Sequence, residues 1–260
     1  MSISSKLLYE LNPPKLLSEN LSSILDLDKQ MTRFIARASA LVQLVRGLHI
    51  TDSVLGIPRV SSVVAASILK DAGIKLELGC SLRISDRNLI AVLQFLSEAI
   101  RHTVESILIV RGDSPFLGQS FSKPSATEVL KVLSSYGIDT HLKLYLSFPN
   151  KISNSVIQTT KLNIKPYGFI TQSISSLSDL GQIIDLARPQ GIRVIPCIMC
   201  PSEKNVSSAS KIGLDWSEYF KDPVQFIAEA AKMSDKVIIS SPNSFDDGLK
   251  LLNTLNENSL

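Results

Sequence analysis

The sequence lacks the features that mark membrane-spanning, secreted or nucleic-acid-binding proteins. It has no stretch of 18 uncharged apolar residues and no apolar core near its first residues, so we expect neither a transmembrane helix nor a signal peptide. Lysine and arginine number 27 against 24 acidic residues and form no run, which disfavours nucleic acids and membrane surfaces as partners. Three cysteines, an odd count in a long chain, favour a reducing compartment, and we expect a cytoplasmic protein.

Apolar residues, by contrast, are abundant. They make up 44% of the 260 residues, and the mean hydropathy is +0.18, so the chain can bury an extensive core. This length is typical of one large α/β domain. Because no low-complexity tract or linker marks a boundary, we predict a single domain over residues 1–260.

Eight short apolar segments alternate with segments of helical periodicity. The apolar segments are continuous rather than alternating, as in parallel strands that are buried on both faces. Eight strand–helix repeats close into a barrel more readily than into an open sheet, and no Gly-x-Gly-x-x-Gly follows the first strand. We therefore predict an α/β fold, a single (β/α)8 TIM barrel. The predicted strands are 7–11, 48–52, 75–82, 107–110, 141–148, 167–172, 193–199 and 236–240.

The segments between these strands predict the helices. Ser85 and Asp86 are candidates to cap the helix that follows the third strand, and a long segment before the last strand has interruptions near Gly213 and Pro223. The main predicted helices cover 63–71, 89–102, 126–134, 153–163, 177–187, 207–233 and 245–255.

In a TIM barrel the active site lies at the carboxyl ends of the strands, and several of these ends are polar here. Pro13 and Pro14 remove two hydrogen-bond donors and end the first strand just beyond Glu10. An arginine can hold an anion with its fork, a glycine lets a flat ligand approach the backbone, and an aspartate accepts from heterocycle N–H groups. The candidate site residues at strand ends are Glu10, Thr51, Ser81, Arg111, Gly112, Asp113 and Gln172.

Three motifs at these ends resemble the methylenetetrahydrofolate reductases, whose catalytic domain is a flavin-binding (β/α)8 barrel. The family's Glu-Phe-Phe-Pro-Pro-Lys is similar to Glu10-Leu-Asn-Pro-Pro-Lys15, and its Leu-Arg-Gly-Asp-x-Pro to Val110-Arg-Gly-Asp-Ser-Pro115. Its Ile-Thr-Gln, with a lysine eleven residues before the Gln, matches Ile170-Thr-Gln172 and Lys161. Asp86-Arg-Asn88 also resembles an Arg-Asp-Arg-Asn variant, and the likeness runs from Tyr9 to about Asn243.

The resemblance implies an oxidoreductase of one-carbon metabolism and methionine synthesis. Such an enzyme reduces 5,10-methylenetetrahydrofolate, or a related reduced pterin, to the 5-methyl form with NADH or NADPH through FAD; FMN or a weakly held flavin is the alternative. By resemblance, Glu10 protonates N10 of the folate, Asp113 favours the cation that follows, and Gln172 binds the pterin or nicotinamide edge. The positions that match flavin contacts are Thr51, Ser81, Arg111, Gly112, Asp113 and Lys161.

The sequence also departs from the family pattern. Ser81 replaces a histidine that is common at the third strand, and Asn154 and Ile157 replace an acid and an asparagine that help to hold the FAD nucleotide. A second hypothesis is therefore a catalytically impaired or partner-dependent barrel subunit of a methyl-transfer or reductase complex, and a homo-oligomer is compatible with either reading. A third is an unrelated barrel such as an aldolase. We expect Cys197 and Cys200 to pack rather than to bind a metal.

Overall fold

A computed structural model describes residues 2–16, 26–116, 124–153 and 156–258, with the side chain of Ile157 left out. The sequence comparisons made at Asn154 and at the side chain of Ile157 therefore lie outside the described residues.

Eight parallel strands close into a barrel in the order β1 to β8, which confirms the predicted (β/α)8 TIM barrel. Every residue of β2 and β8 is buried, and β7 is buried after its first residue. This burial on both faces explains why the strands read as continuous apolar segments. The strands are β1 Leu7–Leu11, β2 Gly47–Ile50, β3 Glu77–Arg83, β4 Ser106–Val110, β5 Lys143–Phe148, β6 Gly168–Ser173, β7 Arg193–Met199 and β8 Val237–Ser240.

The helices lie close to their predicted positions, with two differences. The predicted helix 207–233 is two helices, and the second begins with Pro223, a residue that suits a first helical turn because it lacks an N–H. The predicted cap at Ser85 and Asp86 is wrong, because the side chain of Asn88 accepts the N–H of Ala91. The helices are α1 Leu27–Leu41, α2 Ser62–Asp71, α3 Leu89–Arg101, α4 Ala126–Ser135, α5 Val156–Ile164, α6 Leu177–Ala187, α7 Val206–Lys211, α8 Pro223–Met233 and α9 Phe245–Glu257.

Residue contacts divide the chain into two units. The first unit comprises Met1–Glu10, Gln43–Gly47 and Leu146–Leu260, and the second comprises Leu11–Val42 and Leu48–Tyr145. In the first unit, β8 pairs with β1 on one side and with β7 on the other, with Tyr9 opposite Ile239 and Met199 opposite Ser240. In the second unit, β3 pairs with β4. None of the helices in the described ranges is both long and apolar enough to cross a bilayer.

A β-bulge interrupts the pairing of β6 with β7. Ile170 lies opposite Ile195 and Ser173 lies opposite Cys197, so β6 has one more residue than β7 over this interval. An extra residue in one strand turns side chains away from their regular alternation. Accordingly, Gln172 is exposed while its neighbours in β6 are buried.

Candidate functional site

Glu10 is the acid that the first unit places at the end of β1. The pairing of β1 with β8 brings it next to Ser240, whose Oγ donates to Glu10 Oε1 over 2.7 Å. The side chain remains partly accessible, yet burial raises the pKa of Glu10 above its ordinary value, and the hydrogen bond from Ser240 offsets only part of that rise. Glu10 therefore keeps its proton to a higher pH than an ordinary glutamic acid.

The cysteines of β7 and its end are protonated thiols. Burial, with a smaller contribution from the charge of Glu10, raises the pKa of Cys197, and burial together with Asp247 raises the pKa of Cys200 to about 11. The backbone N–H of Cys197 donates to Thr171 Oγ1 over 3.1 Å. No three potential ligands among the histidines, cysteines and acids of the described residues form a metal-binding group. Both thiols are buried, and Cys197 lies close enough to Glu10 to interact with its charge.

Lys161 lies on α5, and its ammonium group lies at the carboxyl end of β5. Its Nζ donates to the carbonyl oxygen of Ser147 over 2.6 Å, and partial burial lowers the pKa of Lys161. Asn150 Nδ2 donates to the carbonyl oxygen of Ser173 over 3.0 Å and so ties the loop after β5 to the end of β6. Lys161 thus presents a cation near the carboxyl end of β5.

Arg83 organises the strand ends of the second unit. It is the last residue of β3 and is only 1% exposed. Its Nε donates to Asp86 Oδ1 over 2.9 Å, Nη1 reaches the carbonyl oxygen of Ser53 at 3.5 Å, and Nη2 donates to the carbonyl oxygen of Asp113. A buried arginine with three bonded groups connects the loops that follow β2, β3 and β4.

The segment of Arg111, Gly112 and Asp113 is exposed at the end of β4, next to Arg83. Gly112 has a φ of +86°, and a Cβ there would lie 2.7 Å from Arg83 Cγ, so only glycine suits this position. Asp113 Oδ2 accepts the backbone N–H of Leu55 over 2.8 Å. The predicted motif residues are therefore held as one loop above a buried arginine.

The loop after β2 adopts an uncommon backbone to meet Asp113. Ser53 and Leu55 both have left-handed backbones, with φ of 45° and 59°. The N–H of Phe116 donates to the carbonyl oxygen of Gly56 over 3.1 Å, which fastens this loop to the segment after β4. Left-handed non-glycine residues are costly and concentrate at ligand sites, so this loop is a further candidate for ligand contact.

Thr51 and Ser81 are buried and use their hydroxyl groups within the protein. Thr51 Oγ1 donates to Asn12 Oδ1 over 2.6 Å, and Ser81 Oγ lies 2.9 Å from His49 Nε2. Burial lowers the pKa of His49 to about 4, so this histidine is neutral at pH 7. These two predicted positions support the strand ends from inside.

Asp52 anchors the same region. Its Oδ2 accepts the N–H of Arg83 over 3.0 Å and lies 2.5 Å from Nη1 of Arg87. Sequence reasoning left Arg83 and Ser240 out of the site. The sequence signal for Arg83 was an arginine directly after an apolar segment, with an aspartate three residues later. The only sequence signal for Ser240 was its position at the end of the last predicted strand.

The predicted site residues fall into two groups. Each group is defined within its own unit. Lys161 lies on a helix and Ser81 lies two residues before the end of β3, while the other residues lie near or just after the carboxyl ends of strands. The first unit contains Glu10, Lys161 and Gln172, and the second contains Thr51, Ser81, Arg111, Gly112 and Asp113.

Comparisons with known proteins show which solved structures share the fold of this chain. No protein-family model matches the sequence, and no curated protein matches it. The structure is similar to a solved protein of Aquifex aeolicus VF5 with a TM-score of 0.56 and 9% identity, over 99% of this chain and 94% of that one. It is also similar to QR15, an aldolase, with a TM-score of 0.58 and 10% identity, over 98% of this chain and 96% of that one. At such identities the likeness shows a shared fold, and a barrel fold serves many chemistries.

Proposed function

We propose that the chain is a flavin-dependent oxidoreductase that reduces 5,10-methylenetetrahydrofolate, or a related reduced pterin, to its 5-methyl form. NADH or NADPH is the reductant. The observation that carries the proposal is Glu10, a partly accessible carboxyl group at the end of β1 whose pKa is raised by burial. A carboxylic acid that stays protonated near its operating pH is suited to general acid catalysis.

The proposed reaction uses that proton to open a ring. The methylene carbon of the substrate bridges N5 and N10, and Glu10 gives its proton to N10 as the carbon–N10 bond breaks. A cation remains at N5 and the methylene carbon, and the resemblance assigns Asp113 the negative charge that favours it. A flavin, when bound, supplies the hydride that converts this carbon to a methyl group. Glu10 is left as a carboxylate that accepts the Ser240 hydroxyl.

The residues present suit a flavin. In the second unit, Gly112 offers exposed backbone without a side chain, Arg111 is an exposed cation, and Leu55 and Phe116 are apolar side chains that are 55% and 70% exposed. Such a surface can receive a flat heterocycle with polar edges. In the first unit, the Lys161 ammonium group is suited to a phosphate. FAD is the expected flavin, with FMN or weak binding as the alternative.

The aldolase name of one structural neighbour gains no support from this chain. A Schiff-base aldolase requires a reactive amine at its active site. The only lysine within a described strand is Lys143, an exposed residue at the amino end of β5. Lys161 has a lowered pKa, but it lies on a helix and donates to Ser147. A metal-dependent aldolase needs clustered ligands, and the described residues contain no such group.

The decisive measurement is the visible spectrum of the purified chain, before and after addition of FAD or FMN. We expect a flavin band that bleaches under anaerobic conditions on addition of NADH or NADPH and recovers on addition of methylenetetrahydrofolate. Bleaching without recovery would favour the partner-dependent subunit, and recovery upon addition of a cell extract would then support that hypothesis. A chain that binds neither flavin would refute the proposal.

A further inference from the structure

Among the described hydrogen bonds of the Glu10 side chain, the only hydroxyl partner is that of Ser240. It is the last residue of β8, it is 4% exposed, and β8 is the neighbour of β1. Its carbonyl oxygen accepts the N–H of Cys200 over 2.8 Å, so its backbone is fixed from the β7 side as well. The hydroxyl is therefore presented to Glu10 from a rigid strand end and not from a loop.

We infer that Ser240 is a positioning residue that fixes which oxygen of Glu10 carries the transferable proton. A serine hydroxyl has one hydrogen, and here it donates to Oε1 over 2.7 Å. When Glu10 is protonated, the oxygen that accepts this bond is the carbonyl oxygen. The acidic hydrogen then resides on Oε2, and Oε2 is the atom that donates it.

The same bond serves Glu10 after its proton has left. The O–H bond of Glu10 breaks, the proton goes to a basic atom of the substrate, and the carboxylate that remains keeps the Ser240 hydroxyl as a donor. Burial opposes this charged form and the hydrogen bond supports it. Ser240 therefore limits how strongly burial holds the proton on Glu10, which keeps the acid able to release it.

The identity of the proton acceptor, N10 of a folate, rests on the proposed function, but the control of the Glu10 proton by Ser240 does not. The two claims can be separated, since the titration of one carboxyl group can be followed without turnover. The carboxyl carbon of Glu10, labelled with 13C and assigned by its loss in Glu10→Gln, reports that titration directly.

We expect Ser240→Ala to raise the pKa of Glu10, because the variant removes the donor that favours the carboxylate and leaves burial in place. Ser240→Thr, which retains a hydroxyl group, should return the titration towards that of the parent. The matched control is Ser234→Ala, which also removes a buried hydroxyl group, but from the segment that precedes β8. This control should leave the Glu10 titration unchanged.

Activity supplies the second readout. In Ser240→Ala we expect folate reduction to fall about tenfold, less than the 10²- to 10⁴-fold assigned to a general acid, and its alkaline limb to move to higher pH. Flavin reduction by the nicotinamide should not change. An unaltered Glu10 titration in Ser240→Ala would overturn the inference, whatever the activity. A shifted titration in a chain that reduces no folate or pterin would support the inference and refute the proposed function.

Discussion

Two titratable side chains, the partly accessible Glu10 and the buried His49, have pKa values that burial shifts in opposite directions. Burial disfavours the charged form of each group, so it raises the pKa of the acid and lowers the pKa of the base. Burial thus favours the neutral form of each group, one at the end of β1 and the other inside the second unit. Only Glu10 is accessible enough to exchange its proton with a ligand.

Replacement of Glu10 by Gln tests its catalytic role. We expect folate reduction to fall at least 10²-fold, since the amide retains the shape of the acid and lacks its proton, while flavin reduction by NADH or NADPH remains within about twofold. Rapid-mixing measurements of the two half-reactions separate these effects. Glu98→Gln, which changes an exposed acid on α3, is the matched control. An equal loss of both half-reactions would reject the assigned role.

The same replacement should stabilise the fold at neutral and alkaline pH. The folded-state pKa of Glu10 lies above its unfolded value, so the charged group opposes folding once the pH exceeds both values, and this penalty disappears as the pH falls below the unfolded value. Urea unfolding of Glu10→Gln at pH 8 and at pH 4 gives the comparison. A stabilisation of equal size at both pH values would contradict this explanation.

The lowered pKa of His49 predicts that the protein loses stability in mild acid. Its pKa falls from 6.5 to about 4 on folding, so the unfolded chain binds more protons between those values and stability drops as the pH falls through them. The loss between pH 7 and pH 5 should be about 2 kcal/mol, since each pKa unit corresponds to about 1.4 kcal/mol. His49→Gln can still hydrogen-bond to Ser81 but does not titrate in this range. In urea unfolding, its free energy of unfolding should therefore fall by about 2 kcal/mol less between pH 7 and pH 5 than that of the parent. The same acid dependence in both proteins would rule out this assignment.

At the scale of elements, the loop after β4 depends on the absence of a side chain at Gly112. Gly112→Ala combines a left-handed backbone with a contact against the buried Arg83, whereas Gly73→Ala has the backbone penalty alone, at φ +81° with open space around it. We expect Gly73→Ala to lower the free energy of unfolding by about 1 kcal/mol and Gly112→Ala by about 2 to 4 kcal/mol. Chemical denaturation of both variants measures the difference, and equal losses would show that Arg83 yields to the added methyl group.

The sequence predicts these elements well because continuous burial and capping leave local marks. The boundaries of β7 and α6 agree with their predicted ranges residue for residue. The bulge in β6 left no such mark, since it is defined by the registers of Ile170 and Ser173 against a strand that comes later in the chain. The predicted third strand ended one residue before Arg83, because two of the groups that this arginine binds, the carbonyl oxygens of Ser53 and Asp113, lie in the loops after β2 and β4.

The candidate site shows the same limit. Glu10 was identifiable from its position before two prolines and from the family motif, whereas its partner Ser240 lies 230 positions away. No local pattern connects two such residues, and only the closure of the barrel does. Sequence patterns therefore indicate which groups are present at strand ends, while their hydrogen-bond partners follow from the pairing of strands.

At the scale of the whole molecule, a cofactor that binds the native chain should stabilise it. FAD at 100 times its dissociation constant should add about 2.7 kcal/mol to the free energy of unfolding, or roughly 5 °C in Tm for a chain of this length. Riboflavin, which lacks phosphate, should need a higher concentration for the same shift. In Lys161→Met, FAD and riboflavin should give the same shift in Tm at the same concentration. Lys131→Met, which changes an exposed lysine on α4, should keep the difference between them. If FAD still stabilises Lys161→Met at lower concentrations than riboflavin does, Lys161 does not bind the phosphates of FAD.

The pairing of β1 with β8 has a consequence for how the protein is made. Leu7 meets Val237 and Tyr9 meets Ile239, so β1 leaves the ribosome long before the strand β8 with which it pairs. At about 5 to 20 residues per second, β1 waits roughly 10 to 50 s for that neighbour, with one edge of its backbone unpaired. We therefore expect β1 to be a segment that a chaperone engages on nascent chains which end before residue 237.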